Sequence, residues 1–239
     1  MKYLDLTLMT PQEDLACDEA LLQGCEDNGG EEVLRFWEPR RHFAVLGYSS
    51  RVNSEVHLSA CRKHGVPVLR RCSGGGTVLQ GPGCLNYSLI LELQDRSHLR
   101  DITETNIFIM GRLKQALQPL LGTPICVQGF TDLALGMQKF SGNAQYRKRR
   151  ALLFHGTFLL DFDIPLIEKL LPPPHKQPAY RQNRSHGNFL ANLNLPPHRV
   201  KEALKQSWGA REEFKNIPFE TIERLARERY SRDEWNLKF

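Results

Sequence analysis

The sequence has no long hydrophobic run. None of its apolar stretches approaches the roughly 20 residues that a membrane-spanning helix needs. The amino-terminal residues Met1 to Asp5 lack the apolar segment of a secretory signal and are typical of a β-strand. We therefore expect a cytoplasmic protein that has no membrane partner.

The sequence also lacks the cysteine spacing of a zinc site or a disulfide framework. Its six cysteines include no Cys-x-x-Cys pair and follow no regular pattern in a chain of 239 residues. We expect most of them to be buried thiols. They are Cys17, Cys25, Cys61, Cys72, Cys84 and Cys126.

Internal repeats, low-complexity linkers and breaks in composition are absent as well, which predicts a single domain over residues 1–239. No helix-turn-helix pattern precedes this domain. The net charge of +5 permits an acidic macromolecular partner but does not select nucleic acid over protein. The densest basic run, Arg147 to Arg150, fits a solvated hairpin tip that would steer an acidic protein domain, and we do not expect a nucleic-acid partner.

Helical and strand patterns follow one another without the regular order of repeated βαβ units. Thr10 to Glu13 form a capping box that begins a helix, and we expect Asp14 and Asp18 on its exposed face. Later in the chain, turns that contain glycine separate four predicted strands: Ile125 to Gln128, Asp132 to Leu135, Gln138 to Ser141 and Ala151 to Leu160. These patterns predict an α+β fold with a mixed, largely antiparallel sheet flanked by helices.

Residues 70–88 combine two arginines with three consecutive glycines between two strands. Gly74 to Gly76 can adopt positive φ angles and bring backbone N–H groups close to a ligand. Arg70 and Arg71 match the geometry of a carboxylate or a phosphate. A Gly-Gly-Gly run by itself more often marks a hairpin bend, so the prediction of an anion site depends on a second group of residues.

Polar residues recur on one side of two later strands. Lys139 and Ser141 share a face by the two-residue period of a strand, and so do His155 and Thr157. Because a buried, unpaired lysine is costly, this face is expected to border a solvated cleft or a polar ligand. Each of these residues taken alone also fits an ordinary surface or core position.

The two segments together form a longer series of motifs. The pattern R-R-x-S-G-G-G-x-V, L-N-Y-S, D-L, K-x-S-G-N-A-Q and H-G-T-x-L runs in order through the chain, preceded by Asp18 to Leu21 (D-E-A-L) in the first helix. This series resembles the lipoate-protein ligase A family. The resemblance implies a fold shared with the catalytic domains of biotin protein ligases. It also implies that lipoate reacts with ATP to give lipoyl-AMP, and that the lipoyl group then passes to a lysine of an acceptor domain.

The resemblance implies roles for individual residues. Lys139 would contact the carbonyl and phosphate of the activated acyl group, and Asp132 would lie close to the nucleotide and a magnesium ion. A lysine suits this chemistry because adenylation brings two anions together. The other matched positions would bind substrate or nucleotide: Arg70, Ser73, Gly74, Gly75, Gly76, Thr77, Asn86, Ser141, Gly142, Asn143, His155, Gly156 and Thr157.

Two further groups are expected around the bound acyl-adenylate. Aliphatic and aromatic residues would form walls for the acyl tail, namely Trp37, Leu46 and Tyr48. The long loop 172–188 would close over the adenylate and keep water out. Its basic side chains are Lys176, Arg181, Arg184 and His186.

The sequence departs from the family pattern in two respects. Where the ligases usually have H-D-x-G-N, this chain has Gln80 to Cys84, and glutamine can neither titrate nor carry charge. The chain also stops soon after the expected catalytic domain, so we expect no C-terminal accessory domain. Either a separate accessory protein assists adenylation, or the enzyme does not adenylate.

The second case would be an octanoyltransferase. Such an enzyme takes an octanoyl group from acyl carrier protein onto a cysteine and passes it to the acceptor lysine without ATP. The candidate nucleophiles are Cys126 and Cys84. Cys126 lies 13 residues before Lys139, roughly where one branch of the related octanoyltransferases has its cysteine, and Cys84 lies beside the glycine loop. A thiolate would be favoured near Lys139 and Arg70. An apolar strand surrounds Cys126, which more often indicates an unreactive thiol. A non-catalytic acyl-binding or nucleotide-binding module is a third alternative.

The cofactors implied by the resemblance are ATP and Mg²⁺, with lipoate as substrate; the motifs leave lipoate, octanoate and biotin open as the acyl group. The implied partner is a lipoyl acceptor domain, either the acyltransferase subunit of a 2-oxoacid dehydrogenase or the H protein of glycine cleavage. A separate accessory protein is a further possible partner if the enzyme adenylates, and acyl carrier protein is one if it transfers octanoyl groups.

Overall fold

A computed structural model describes residues 1–29, 31–94 and 96–239. Its strands are β1 (Lys2–Asp5), β2 (Val33–Trp37), β3 (Phe43–Leu46), β4 (Val68–Arg70), β5 (Val78–Gln80), β6 (Cys84–Glu92), β7 (Ile125–Gln128), β8 (Asp132–Leu135), β9 (Gln138–Arg147), β10 (Ala151–Leu159) and β11 (Glu212–Glu213). Its α-helices are α1 (Pro11–Asn28), α2 (Val52–Glu55), α3 (Leu58–Lys63), α4 (Ile102–Leu117), α5 (Ile164–Leu170), α6 (His186–Phe189), α7 (Pro197–Trp208), α8 (Phe219–Leu225) and α9 (Asp233–Asn236).

The strands form two sheets. The larger has eight strands in the order β11-β1-β2-β6-β10-β9-β8-β7, and the smaller has the order β4-β3-β5. In the larger sheet β1 is parallel to β2 and β11. The remaining neighbours, in the sheet order β2-β6-β10-β9-β8-β7, pair antiparallel. The predicted α+β fold with a mixed, largely antiparallel sheet flanked by helices is confirmed.

Both faces of the large sheet are covered. Side chains of β6 alternate between two hydrophobic clusters: Leu89 packs on the side that carries α4 and α7, and Ile90 packs on the side that carries α1 and α8. A third cluster joins the small sheet to α5. Within the described ranges, no helix has both the length and the apolar character to cross a membrane.

Helix α1 begins where the sequence predicts. The Thr10 hydroxyl accepts a hydrogen bond from the Glu13 N–H at 3.2 Å, and the Glu13 carboxylate accepts one from the Thr10 N–H at 2.9 Å. The prediction that Asp14 and Asp18 are exposed is wrong, because each is only 3% exposed. Both face the buried guanidinium of Arg35 on β2, at 2.6 Å each, since a buried arginine requires acidic partners.

Candidate active site

A cavity of about 970 Å³ lies between the α1 side of the large sheet, the small sheet and residues 171–190. This volume is near the upper end of the range for small-molecule sites. Apolar side chains of Leu15, Trp37 and Val45 border one part of it, and polar side chains of β8, β9 and β10 border another. The cavity therefore offers both an apolar region and a polar region to a ligand.

The polar region contains an ion pair between two neighbouring strands. The Lys139 Nζ atom of β9 lies 2.7 Å from Asp132 Oδ1 of β8, and the lysine side chain is 25% exposed. The Tyr180 hydroxyl donates to Asp132 Oδ2 at 2.8 Å. Burial and the nearby Asp132 carboxylate raise the pKa of Tyr180, so it stays a donor. The lysine crosses over Gly142, where a Cβ atom would lie 2.7 Å from Nζ.

Ser141 does not share a face with Lys139 in the way the strand period predicts. Strand β8 pairs with β9 in a register that shifts between Leu133 and Ala134, so that Ser141 lies opposite Leu133 and Lys139 opposite Ala134. A β-bulge of this kind breaks the alternation of side chains. Ser141 borders the cavity but is buried, and its hydroxyl accepts a hydrogen bond from the Asn143 amide at 3.3 Å.

Asn143 borders the cavity, yet its carboxamide is bonded within the protein. Its Oδ1 atom accepts a hydrogen bond from the Tyr87 hydroxyl at 2.6 Å, and its Nδ2 atom donates to the Thr131 carbonyl at 2.7 Å. A Cβ atom on Gly156 would lie only 1.7 Å from this Oδ1. Asn143 therefore holds the segment that precedes Asp132, and Gly156 provides the space it occupies.

The glycine loop, defined here as residues 73–76, is held by Arg71. The buried Arg71 guanidinium donates to the carbonyls of Gly74 at 2.6 Å and Gly76 at 2.9 Å, and to the Ser73 hydroxyl at 3.0 Å. Burial lowers the pKa of Arg71 to about 10. Gly75 has a φ of +93°, which few other residues adopt.

Part of the predicted loop site borders the cavity. Gly75, Gly76 and Thr77 border it together with Arg71, whereas Ser73 and Gly74 do not. The Thr77 hydroxyl oxygen is buried without a hydrogen-bond partner in the described part of the chain, so it is free to bind a ligand.

The expectation that Arg70 lines the cavity is wrong. Successive residues of a strand point in opposite directions, and here Arg71 takes the cavity side. Arg70 is fully buried elsewhere and donates to backbone carbonyls of residues 47–50. Among the predicted walls of the acyl site, Trp37 borders the cavity, and Leu46 and Tyr48 do not.

His155 borders the cavity and holds the glycine loop from within. Its Nε2 atom lies 2.6 Å from the Ser73 hydroxyl oxygen, and its Nδ1 atom lies 3.9 Å from Asp18 Oδ2. Burial lowers the pKa of His155 to about 4, even though the Asp18 carboxylate opposes this shift. The imidazole is therefore neutral at physiological pH.

This pKa predicts a pH dependence of stability. Between pH 4 and 6.5 the unfolded imidazole is protonated and the folded one is not, so the contribution of His155 to the free energy of unfolding should rise with pH across this interval by about 3 kcal/mol. Burial raises the pKa of Asp14 to about 6, which opposes this rise equally in the wild-type protein and in a His155 variant. We expect His155→Gln to lose this contribution. Urea unfolding at several pH values measures it, and equal pH slopes for the two proteins would contradict the assignment.

Three neutral side chains form a closed network beside the ion pair. The Gln80 amide donates to Asn86 Oδ1 at 3.0 Å and to Thr157 Oγ1 at 2.6 Å, and the Asn86 amide donates to Gln80 Oε1 at 3.0 Å. All three residues border the cavity. Asn86 and Thr157 were predicted site residues. Gln80 was noted only as a departure from the family pattern, although its position at the end of β5, six residues before Asn86, could have indicated it.

Residues of the long loop also reach the cavity. Lys176, Arg181 and His186 border it, whereas Arg184 instead donates to the carbonyls of Met137 and Tyr180. Burial lowers the pKa of His186. Sequence reasoning missed Asp18 as a cavity residue, although the D-E-A-L motif contains it.

None of the six cysteines is among the described residues that border the cavity. Cys84 packs in the cluster around the small sheet, and burial raises the pKa of its thiol to about 12. Because a cysteine nucleophile must react as a thiolate, Cys84 does not fit the predicted role of nucleophile. Cys126 on β7 is partly exposed and lies opposite Ala134 of β8, which in turn lies opposite Lys139.

Known proteins share this fold. A T. acidophilum (Thermoplasma acidophilum) protein solved with bound lipoic acid superposes with a TM-score of 0.82 at 25% identity, covering 100% of both chains. A lipoate-protein ligase A bound with ATP gives a TM-score of 0.80 at 25% identity, covering 99% of each chain. These similarities agree with the predicted ligase fold.

Similarity in sequence extends over the whole chain. The octanoyltransferase LipM of Geobacillus kaustophilus is 26% identical over 99% of this chain and 98% of its own length. The lipoate-protein ligase A subunit 1 of T. acidophilum is 29% identical over 97% and 95%. The family model of the lipoyl protein ligase A/B catalytic domain matches residues 10–207. The resemblance read from the motifs is thus confirmed, and the chain belongs to the lipoyl protein ligase A/B catalytic domain family.

Proposed function

We propose that this protein is an ATP-dependent lipoate-protein ligase. It would convert lipoate and ATP into lipoyl-AMP and transfer the lipoyl group to a lysine of an acceptor domain, with residues 1–239 acting as one catalytic domain. The observation that carries this proposal is the ion pair of Lys139 with Asp132, which borders the same cavity as the glycine loop while no cysteine among the described residues borders it.

The residues of the cavity suit both steps of this reaction. In the first step a carboxylate oxygen of lipoate attacks the α-phosphorus of ATP and pyrophosphate leaves. In the second step the acceptor amine attacks the acyl carbonyl and AMP leaves. The Lys139 ammonium can stabilise the negative charge that develops at phosphorus and on the acyl oxygen. The apolar side chains of Leu15, Trp37 and Val45 suit the aliphatic tail.

Asp132 fits a role in holding magnesium together with nucleotide phosphates. Its two carboxylate oxygens accept from Lys139 and Tyr180 and still retain lone pairs. The described residues include no group of three or more His, Cys, Asp or Glu side chains that could hold a metal by themselves. A single carboxylate with substrate phosphates is the usual arrangement for Mg²⁺, which would neutralise phosphate charge here.

The relatives support an acceptor domain and a second chain as partners. A T. acidophilum structure with a TM-score of 0.83 is described as a bi-partite lipoate protein ligase with its E2 lipoyl domain. We propose that this protein also modifies a lipoyl domain and that an accessory chain assists adenylation.

Octanoyl transfer through Cys126 is the second candidate function. It is favoured by the LipM relatives and by the register that places Cys126 and Lys139 on one face of the sheet with β8 between them. Strands separated by one neighbour are about 10 Å apart, so an acyl group on this sulfur would have to move toward the lysine.

Single-turnover acylation of a lipoyl acceptor domain separates these functions. We expect product with lipoate and Mg-ATP, and we expect Cys126→Ala and its buried counterpart Cys84→Ala to retain full activity. Activity with octanoyl carrier protein alone, lost in Cys126→Ala but kept in Cys84→Ala, would overturn the ligase in favour of the transferase. A wild-type protein that binds lipoate but acylates nothing with either donor, nor with preformed lipoyl-AMP, which bypasses adenylation, would indicate a binding module.

A further inference from the structure

The last described residues of the chain pack against the strand that leads into the glycine loop. We propose that this terminal segment, residues 232–239, and Arg70 together position the glycine loop and so set the affinity for the acyl ligand from outside the cavity. The inference rests on the proposed function only in assuming that an acyl group occupies the cavity beside Gly75.

The terminal segment bonds to both sides of the Arg70 peptide. Asn236 Oδ1 accepts a hydrogen bond from the Arg70 N–H at 2.9 Å, and the Trp235 indole donates to the Arg70 carbonyl at 2.8 Å. Strand β4 is at the edge of the small sheet, where its backbone groups would otherwise lack partners. The terminal segment therefore takes the place of a neighbouring strand.

The Arg70 side chain connects the terminal segment with the turn at residues 47–50. Its Nη1 atom donates to the carbonyls of Gly47 at 2.8 Å, Tyr48 at 3.1 Å and Ser50 at 2.8 Å. Its Nε atom donates to the Trp235 carbonyl at 3.1 Å. A charged donor shared among several carbonyls in a buried site fixes their relative positions.

The turn in turn lies directly against the glycine loop. The Tyr48 N–H donates to the Ser73 carbonyl at 2.8 Å. Gly47 approaches the loop so closely that a Cβ atom there would lie 2.0 Å from the Gly75 carbonyl oxygen. Since Gly75 borders the cavity, a continuous series of contacts runs from the terminal segment through Arg70 to a residue at the ligand site.

A second link joins the terminal segment to the same turn without Arg70. The Lys238 ammonium lies 3.7 Å from the centroid of the Tyr48 ring and 4.0 Å from that of Trp235. The Val52 N–H, just beyond the turn, donates to the Phe239 carbonyl at 3.0 Å. Such cation–π and backbone contacts hold the segment and the turn as one unit.

This arrangement predicts reciprocal coupling between the acyl ligand and the terminal segment. From the cavity side the loop is held by Arg71 and His155, and from the outer side by the turn. A ligand that orders the glycine loop must therefore also order the terminal segment. By the same coupling, loosening the terminal segment must lower the affinity for the ligand.

The test compares two asparagines that bond to backbone in the same way. Asn236→Ala removes the contact with Arg70, whereas Asn192→Ala removes the matched pair of bonds to the Phe162 N–H and carbonyl, each 2.9 Å, away from the glycine loop. Asn236 also donates to the Tyr230 carbonyl at 2.8 Å, so each alanine variant loses two buried or part-buried bonds to backbone groups. We expect Asn236→Ala to raise the KM for lipoate on the order of 5- to 10-fold, with the acceptor-domain KM unchanged. Asn192→Ala should lower Tm without changing the lipoate KM.

Hydrogen–deuterium exchange gives a readout that does not require turnover. Adding lipoate to the wild-type protein should slow exchange in peptides from residues 232–239, and this protection should be lost in Asn236→Ala. If the wild-type protein binds no acyl ligand, the proposed function fails. If it binds lipoate, and Asn236→Ala binds it equally well with unchanged protection of the segment, the positioning role is overturned while the proposed function stands.

Discussion

Replacing Lys139 with alanine is expected to lower the rate of acyl transfer by about 100- to 1,000-fold, the effect of removing one transition-state donor from a preorganised site. Its ammonium is the cationic group closest to Asp132, and it borders the cavity beside the gap that Gly142 leaves. The fold should persist, because the lysine is partly exposed and Asp132 keeps its hydrogen bond from Tyr180.

Single-turnover rates test the expected loss of acyl transfer, and Tm tests whether the fold persists. Lys201→Ala is the matched control, since Lys201 also pairs with carboxylates, those of Asp5 at 2.9 Å and Glu38 at 2.7 Å, but does not border the cavity. The control should keep its rate. A Lys139→Ala protein with the normal rate, or one that loses its rate only because it unfolds, would contradict a catalytic role.

Replacing Arg35 with methionine is expected to lower the free energy of unfolding by about 3–5 kcal/mol. The guanidinium is fully buried and bonds to the carboxylates of Asp14 and Asp18 and to the Leu6 carbonyl. Its loss leaves two carboxylates buried without a cation. Asp18 also lies 3.9 Å from His155, so the change should reach the cavity as well.

Urea unfolding measures this loss against a surface ion pair of similar geometry. Arg96 lies 2.6 Å from Glu32, but its side chain is 36% exposed, so Arg96→Met should cost less than about 1 kcal/mol. Equal losses in the two variants would show that the buried cluster around Arg35 contributes no more than a solvated pair.

Local patterns were sufficient for much of the fold and for the family. The strands Ile125–Gln128 and Asp132–Leu135 lie where turns and β-branched residues predict them, and the capping box begins α1 at Pro11. These features depend on neighbours in sequence, whose geometry is limited to a few backbone conformations. The motifs around Lys139 and the glycines likewise identified the family, because motif order does not depend on how the strands pack.

The sequence was less informative about which side chains face the cavity. Strand alternation shows that Arg70 and Arg71 point opposite ways, but it does not say which of them faces the cavity. That depends on the terminal segment, which is more than 160 residues away in sequence and satisfies Arg70 on the far side. The β-bulge near Ser141 was equally invisible, because a register shift belongs to the pairing of two strands.

By itself, the sequence determined the secondary structure of the motifs, the mixed sheet and the family, because short-range sterics and alternating hydrophobicity decide these properties. Only the tertiary structure decided that Asp14 and Asp18 are buried on Arg35, that Arg71 and not Arg70 reaches the cavity, and that cysteine side chains stay away from it. These outcomes depend on which charges and polar groups meet after distant segments pack, and burial makes each unmatched group costly enough to select one arrangement.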